Sequence, residues 1–241
     1  MAQKTVTANG NAQLDTADFK YGTASGLFDG TTDYLTVPTD AAWNLTSTAS
    51  FTIDFWIKKN GVQGAYDAII QRGDANSPYN GWALQISDVG TDRLRLINNV
   101  DGTGGVAMTG SLGTGQTHIA FVHNDAADTL KVYVDGTEQA SATASTAINW
   151  TNTTDSLYIG MQNGFTDRSF AGWLDEIRIT PDVARWTANF TPPGRTYYNL
   201  NDALRLHCDG ADASTTFTDS SADTTDIAPT KKGGAFFLQL L

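Results

Sequence analysis

The chain has 241 residues and a mass of 25.8 kDa, enough for one all-β domain with an extension and short of two full-sized domains. Charged residues make up only 17%, Gly numbers 23, and Glu138 and Glu176 are the only glutamates, a balance that excludes long helical bundles and coiled coils. The formal net charge of −11, with no basic stripe, argues against a nucleic-acid partner. The single cysteine, Cys208, cannot form an internal disulfide.

The opening residues MAQKTVTANGNAQLD lack the continuous apolar run of a secretory leader, and no stretch is apolar enough to span a bilayer. We therefore expect synthesis in a cytoplasm and no membrane insertion. Asn-Gly and Asp-Gly pairs from Asn9-Gly10 to Asp209-Gly210 punctuate short β-type runs. FTIDFWI at 51–57 alternates Phe51, Ile53, Phe55 and Ile57 with Thr52, Asp54 and Trp56, predicting one buried and one mixed face. AIIQR, GWALQIS, RLRLIN and HIAFVHN follow at strand-plus-turn spacing. LKVYVDGTEQA reads as a hairpin, with Leu130, Val132 and Val134 on one face and Asp135-Gly136 as its two-residue turn. DSLYIGM and GWLDEIRIT complete the set, and PDVARWT carries proline where a helical turn would begin.

From about Asn201 the chain becomes Asp-, Thr- and Ser-rich and then ends in the apolar run Ala235–Leu241. LRLHCDG alternates like a strand, and an apolar end left in water is unfavourable. We expect residues 1–200 to form the main domain and residues 201–241 to complete it or to mediate self-association.

The runs YGTASGLFDGTTDYLTVP, FTIDFWI, KVYVDGTEQA and LYIGMQNGFTDRSFAGWLDEIRITPDVARWTANFTPP together resemble the laminin-G-like, concanavalin A-like jelly roll, in the version common in bacteriophage structural proteins. The resemblance spans about residues 19–193 and is most specific from Gly172 to Pro193. It implies an all-β fold, a two-sheet antiparallel jelly-roll sandwich, with carbohydrate or surface attachment, in some members a bound calcium, and often no catalysis. In similar proteins a segment like LRLHCDGADASTTFTDSS stands before one like TVTANGNAQLD, whereas here it comes last. The order is that of a circular permutation or of a chain lending its end to a neighbour.

Some sandwiches of this kind are glycosidases that set two carboxylates across a cleft, but the Glu-x-Asp-x-(x)-Glu strand of those enzymes is missing here. We expect no enzyme. Asp175, read with Trp173, Ile177 and Ile179 on one strand face, needs hydrogen bonds or a cation if that face is buried. Two readings stay open: a calcium held by Asp175 with Asp29 of FDGTTD, or backbone N–H bonds to Asp175 from the Phe28–Thr31 turn. For a glycan, the candidates are Tyr79 and Trp82 beside Asn80-Gly81, and Asn163, Phe165 and Arg168 in QNGFTDRSF, because sugars take an aromatic platform with planar polar groups. Trp82 also alternates with Leu84 and Ile86, as a core residue would. Asp54, Trp56 and Tyr133 offer a further site on the sheet surface, while His118, His123, His207 and Cys208 read as ordinary sheet residues.

The expected function is a non-enzymatic virion surface protein, a bacteriophage head decoration or fibre-type protein. Its partners would be capsid or other virion proteins, a cell-surface glycan and further copies of itself. The alternatives are a carbohydrate-binding lectin module and, behind it, a glycoside hydrolase.

Overall fold

The computed structural model describes residues 2–61, 63–64, 66–73, 81–86, 92–98, 105–144, 154–195 and 201–222. Two antiparallel sheets pack face to face. The first runs β1 (Thr7–Asn9), β4 (Tyr34–Val37), β13 (Leu157–Ile159), β6 (Ala68–Arg72), β7 (Trp82–Ile86), β8 (Leu94–Asn98) and β9 (Val106–Ala107). The second runs β12 (Thr137–Thr143), β11 (Thr129–Val134), β10 (Thr117–Asn124), β5 (Phe51–Lys59), β14 (Ala171–Pro181), β3 (Ser25–Asp29) and β2 (Gln13–Asp15), with β15 (Leu204–Leu206) also on β14. This is the two-sheet jelly-roll sandwich expected from the strand pattern. Among the described residues no helix is long and apolar enough to cross a membrane.

The alternation in β5 sends Phe51, Ile53, Phe55 and Ile57 into the core between the sheets, where they meet Phe121 of β10 and Leu130 and Val132 of β11. The β11–β12 hairpin turns at Asp135 and Gly136, φ 47° and 75°, the left-handed pair that matches strand twist. The other face of β5 departs from expectation, because Thr52, Asp54 and Trp56 are buried too. Lys20 and Tyr21 cover Trp56, and residues 182–195 cross the outer face of the second sheet as a strap over Thr52 and Asp54. PDVARWT therefore forms no helical turn. Its backbone is spent on the sheet instead: the Thr52 hydroxyl donates to the Val183 carbonyl (2.8 Å) and accepts from the Arg185 N–H (3.1 Å). Farther along, Trp186 and Phe190 stack with centroids 4.0 Å apart over Ala120, Val122 and Tyr133.

β14 contains a bulge. Its register on β5 shifts between Asp175 and Arg178, and Glu176 has φ 50°, so one extra residue is inserted and the faces exchange. Leu174, Ile177 and Ile179 all enter the core. Trp173 does not share their side, as strict alternation required: its indole N–H donates to Asp15 (2.8 Å) and its ring carries the Lys58 ammonium. The bulge also divides one edge of β14 between two partners. Ala171–Leu174 pair with β3, and Ile177–Ile179 pair with β15.

Residues 201–222 thus lie against their own chain. Beyond β15, the Leu14 N–H donates to Ser214 and the Ala213 N–H to Leu14 (both 2.8 Å). The Lys4 N–H donates to the Asp219 carboxylate (2.7 Å), and Leu204, Leu206, Cys208 and Phe217 are part of the core. The apolar run Ala235–Leu241 lies outside the described residues.

Candidate functional site

The loop between β13 and β14 is closed on itself and on its neighbours. The Gln162 N–H donates to the Arg168 carbonyl (3.0 Å) and the Phe165 N–H to that of Gln162 (3.2 Å), while the Ala68 N–H reaches Arg168 from β6. Asn163 is consumed in this closure: its backbone N–H donates to the Gln71 side chain (3.1 Å) and its amide to the Gly73 carbonyl (3.3 Å). Its role is to hold the loop.

Arg168 lies at the centre of what the loop presents. Its guanidinium donates to the Gln162 side chain (2.9 Å) and sits 3.7 Å from the Phe165 ring centroid and 5.0 Å from that of Tyr66. The Arg95 guanidinium approaches the same Tyr66 ring at 5.5 Å. The result is a surface row Phe165, Arg168, Tyr66, Arg95, in which cations and aromatic rings alternate, an arrangement favoured by the ring quadrupole. Tyr66 is 43% exposed, and Phe19 is the other large hydrophobic side chain left exposed among the described residues. Tyr66 also has φ 73°, a conformation costly for a bulky residue. Beneath it, Asp67 is buried and accepts from the Gly64 N–H (2.6 Å); burial pushes its carboxyl above the usual range.

Of the proposed glycan residues, Phe165, Arg168 and Asn163 are brought together. Trp82 is not with them: it is 1% exposed, with its indole N–H donating to the Trp43 carbonyl (2.9 Å), so it is a core residue, as its alternation with Leu84 and Ile86 allowed. Tyr79 lies outside the described residues. Asp54, Trp56 and Tyr133 are buried, Trp56 beneath Lys20 and Tyr21 and Tyr133 beneath Trp186 and Phe190 of the strap. Tyr66 and Arg95 were missed, because they come from separate segments with no motif in common and meet only in the folded sandwich.

Asp29 and Asp175 are not brought together. Asp29 pairs with Ala171, four positions from Asp175 on β14, a separation of roughly 13 Å along a strand. Asp29 accepts from the Thr31 N–H and hydroxyl (both 2.7 Å). Asp175 accepts backbone N–H bonds from Lys20 (2.8 Å) and Tyr21 (3.0 Å) in the loop before β3 and from Glu176 (2.7 Å) next to it on β14, and none from the Phe28–Thr31 turn. Asp175 accepts three N–H bonds, Asp29 accepts two at Oδ1, and among the described residues no group of three His, Cys, Asp or Glu is arranged around a common point. These residues do not fit a calcium ion. Burial, with the Glu176 charge added, raises the Asp175 pKa to about 7 despite its three N–H donors.

A buried ionic cluster lies on the strap side of the second sheet. Arg178 meets Asp54 through two bonds of 2.9 and 2.7 Å, and His118 Nε2 is 3.4 Å from the same carboxylate. Burial pushes the Asp54 carboxyl up, but the charges and hydrogen bonds of Arg178 and His118 together outweigh it and hold its pKa at about 2. Arg185 donates to Thr180 (3.0 and 3.1 Å) and to Asp202, which Arg205 also approaches at 3.6 Å.

Residues 29–187 match the family model described as the Concanavalin A-like lectin/glucanases superfamily. No curated protein matches the chain in sequence. Among solved structures, a candidate carbohydrate-binding protein from Bacteroides ovatus is 20% identical with a TM-score of 0.55, covering 90% of this chain and 58% of its own. The binding domain of Paraclostridial Mosquitocidal Protein 1 is 13% identical with a TM-score of 0.53, covering 78% of this chain and 45% of its own. Domain 4 of AbnA, a GH43 extracellular arabinanase from Geobacillus stearothermophilus, in complex with arabinotriose, is 20% identical with a TM-score of 0.50, covering 73% and 81%.

Proposed function

As the chain belongs to the Concanavalin A-like lectin/glucanases superfamily, we propose that it is a non-catalytic carbohydrate-binding module that contacts glycan through Phe165, Arg168, Tyr66 and Arg95. The observation that carries this reading is the Tyr66 ring, 43% exposed and flanked by two guanidinium groups. An exposed ring gives the apolar face of a sugar something to stack on, and fixed planar donors reach its hydroxyls. The arabinotriose complex of the arabinanase domain and the Bacteroides ovatus protein support the substrate class.

The placement of the two glutamates favours binding without turnover. Glu138 on β12 pairs with Lys131, and Glu176 on β14 faces His207. Four strand spacings separate β12 from β14, roughly 19 Å, whereas paired glycosidase carboxyls stand about 5–10 Å apart. The setting we assign is the surface of a virus particle, as a bacteriophage head decoration or fibre-type protein that self-associates on a capsid. The run Gly172–Pro193 and its resemblance to phage structural proteins support it.

A glycan array with the parent protein, Tyr66→Ala and Arg168→Gln tests the binding reading. The parent should retain a defined set of glycans, and both variants should lose it with unchanged melting. A parent protein that binds no glycan, or variants that bind like the parent, would overturn it. Mass spectrometry of purified virions tests the setting, and absence of the protein from particles would remove that assignment.

A further inference from the structure

The strap borders an open pocket. Tyr133 reaches the Trp186 carbonyl (3.5 Å), Lys131 the Thr187 carbonyl (3.3 Å), the Phe190 N–H the Gly136 carbonyl (2.9 Å), and the Tyr21 hydroxyl the Pro193 carbonyl (3.3 Å). Held at these points and at Thr52, the strap forms most of the wall of an open pocket of about 410 Å³ lined by Arg178, Val183, Ala184, Arg185, Trp186 and Pro193. Small-molecule sites occupy roughly 300–1,000 Å³, and this one is of a size to take a single sugar ring.

Its walls are chemically lopsided. Arg178 and Arg185 are the charged residues of the lining, and the apolar part is Trp186 with Val183, Ala184 and Pro193. Both guanidiniums are held in place. Arg178 is clamped by Asp54 from β5, and Arg185 is fixed by Thr180 and by Asp202, a carboxylate shared with Arg205. They are close enough to repel: after burial, the Arg178 charge is the largest cause lowering the Arg185 pKa. Two immobilised guanidiniums that line one pocket offer their donors to the same ligand, and guanidinium donors match the planar geometry of a carboxylate. The Arg178 guanidinium is 5.8 Å from the Trp186 ring centroid, which places an aromatic surface beside the charged one.

We propose that this cavity is a second binding site, on the opposite sheet from the Tyr66 row, and that it takes a carboxylate-bearing monosaccharide, with the carboxylate on Arg178 and Arg185 and the ring against Trp186. The sugar class rests on the carbohydrate reading above, and the charge preference rests on the two arginines alone. Ligands here enter beside the strap and need no contact with Phe165 or Tyr66.

Calorimetric and saturation-transfer titrations of the full chain with glucuronate, glucose and acetate decide it. Glucuronate should bind and release the strap-side signals when displaced, glucose should fail at the same concentrations, and acetate should bind at least tenfold more weakly for want of the ring. Arg185→Gln, which keeps a donor for Thr180, should weaken glucuronate by about tenfold or more. Ala184→Leu, which fills the cavity and leaves the ion pairs in place, should abolish binding with a cooperative melt retained. Tyr66→Ala should leave the glucuronate affinity unchanged, so loss of array binding and loss of this site are separate results. Equal binding of glucose and glucuronate, no binding of glucuronate, or an Ala184→Leu protein that binds like the parent would each overturn the proposal.

Discussion

His207 Nδ1 lies 2.9 and 2.8 Å from the two carboxylate oxygens of Glu176, both residues being buried. The contact fastens the segment after β15 to the bulged residue of β14, at the point where one partner strand ends and the other begins. Removing one side of a buried polar pair strands the other. Glu176→Ala should therefore cost about 2–4 kcal/mol, read as a lower midpoint in urea unfolding, and His207→Ala should fall in the same range. A double variant that costs less than the sum of the two would confirm the coupling.

Asp54 is the second buried anchor. Asp54→Asn leaves the Arg178 guanidinium beneath the strap without its carboxylate and should cost about 3–5 kcal/mol. The strap rests on this pair, so the variant should also expose Trp186, visible as a red shift of the tryptophan emission.

Two carboxyls set the pH response in opposite directions. The Asp54 pKa is lowered from 3.8 to about 2, so its contribution is complete above about pH 4 and is lost as pH falls through 2. The Asp175 pKa is raised from 3.8 to about 7. The folded state then holds the proton more tightly than the unfolded one, and the contribution of Asp175 is complete below about pH 4 and lost as pH rises through 7. Urea unfolding from pH 3 to pH 8 should show stability declining from pH 4 to pH 7, and Asp175→Asn should flatten that limb. A parent profile that rises across this interval would contradict the assignment.

Gly136 has φ 75°, and a Cβ there would run into the Phe190 carbonyl. Gly136→Ala should cost about 1–3 kcal/mol and loosen the strap at its stacked Trp186–Phe190 pair. Equilibrium unfolding measures the first effect and near-ultraviolet dichroism the second.

A chain ending at Asn199 would lack β15 and with it Leu204, Leu206 and Phe217 of the core. Losing three large buried side chains exceeds the net stability of an ordinary domain once the uncovered half of β14 is included. The truncated chain should melt without a cooperative transition.

The strands were legible because their faces alternate: Phe51, Ile53, Phe55 and Ile57 announce β5, and Asp135-Gly136 announces the hairpin. The bulge was not, since Asp175-Glu176 carries no turn signal and its effect, moving Trp173 to the side opposite Ile177, arises from pairing with two strands at once. The strap was misread as a helical turn because proline opens helices in general, while here Thr52, far away in the chain, takes up the backbone groups. The loop residues Phe165 and Arg168 were singled out from the composition of QNGFTDRSF, and the fold places them side by side on one loop. Tyr66 and Arg95 were beyond reach, because only the packing of distant segments brings them to one spot.

The division of the β14 edge bears on how the protein is made. Lys4 is fastened to Asp219 across 215 residues of chain, and on the edge away from β5 the half of β14 after the bulge finds its partner in β15. During translation the second sheet keeps a gap of three residue pairs until the last tenth of the described chain has left the ribosome. Contacts this distant in sequence slow folding, so the sandwich closes only once β15 has been made, and until then the open edge is the surface a chaperone would have to cover.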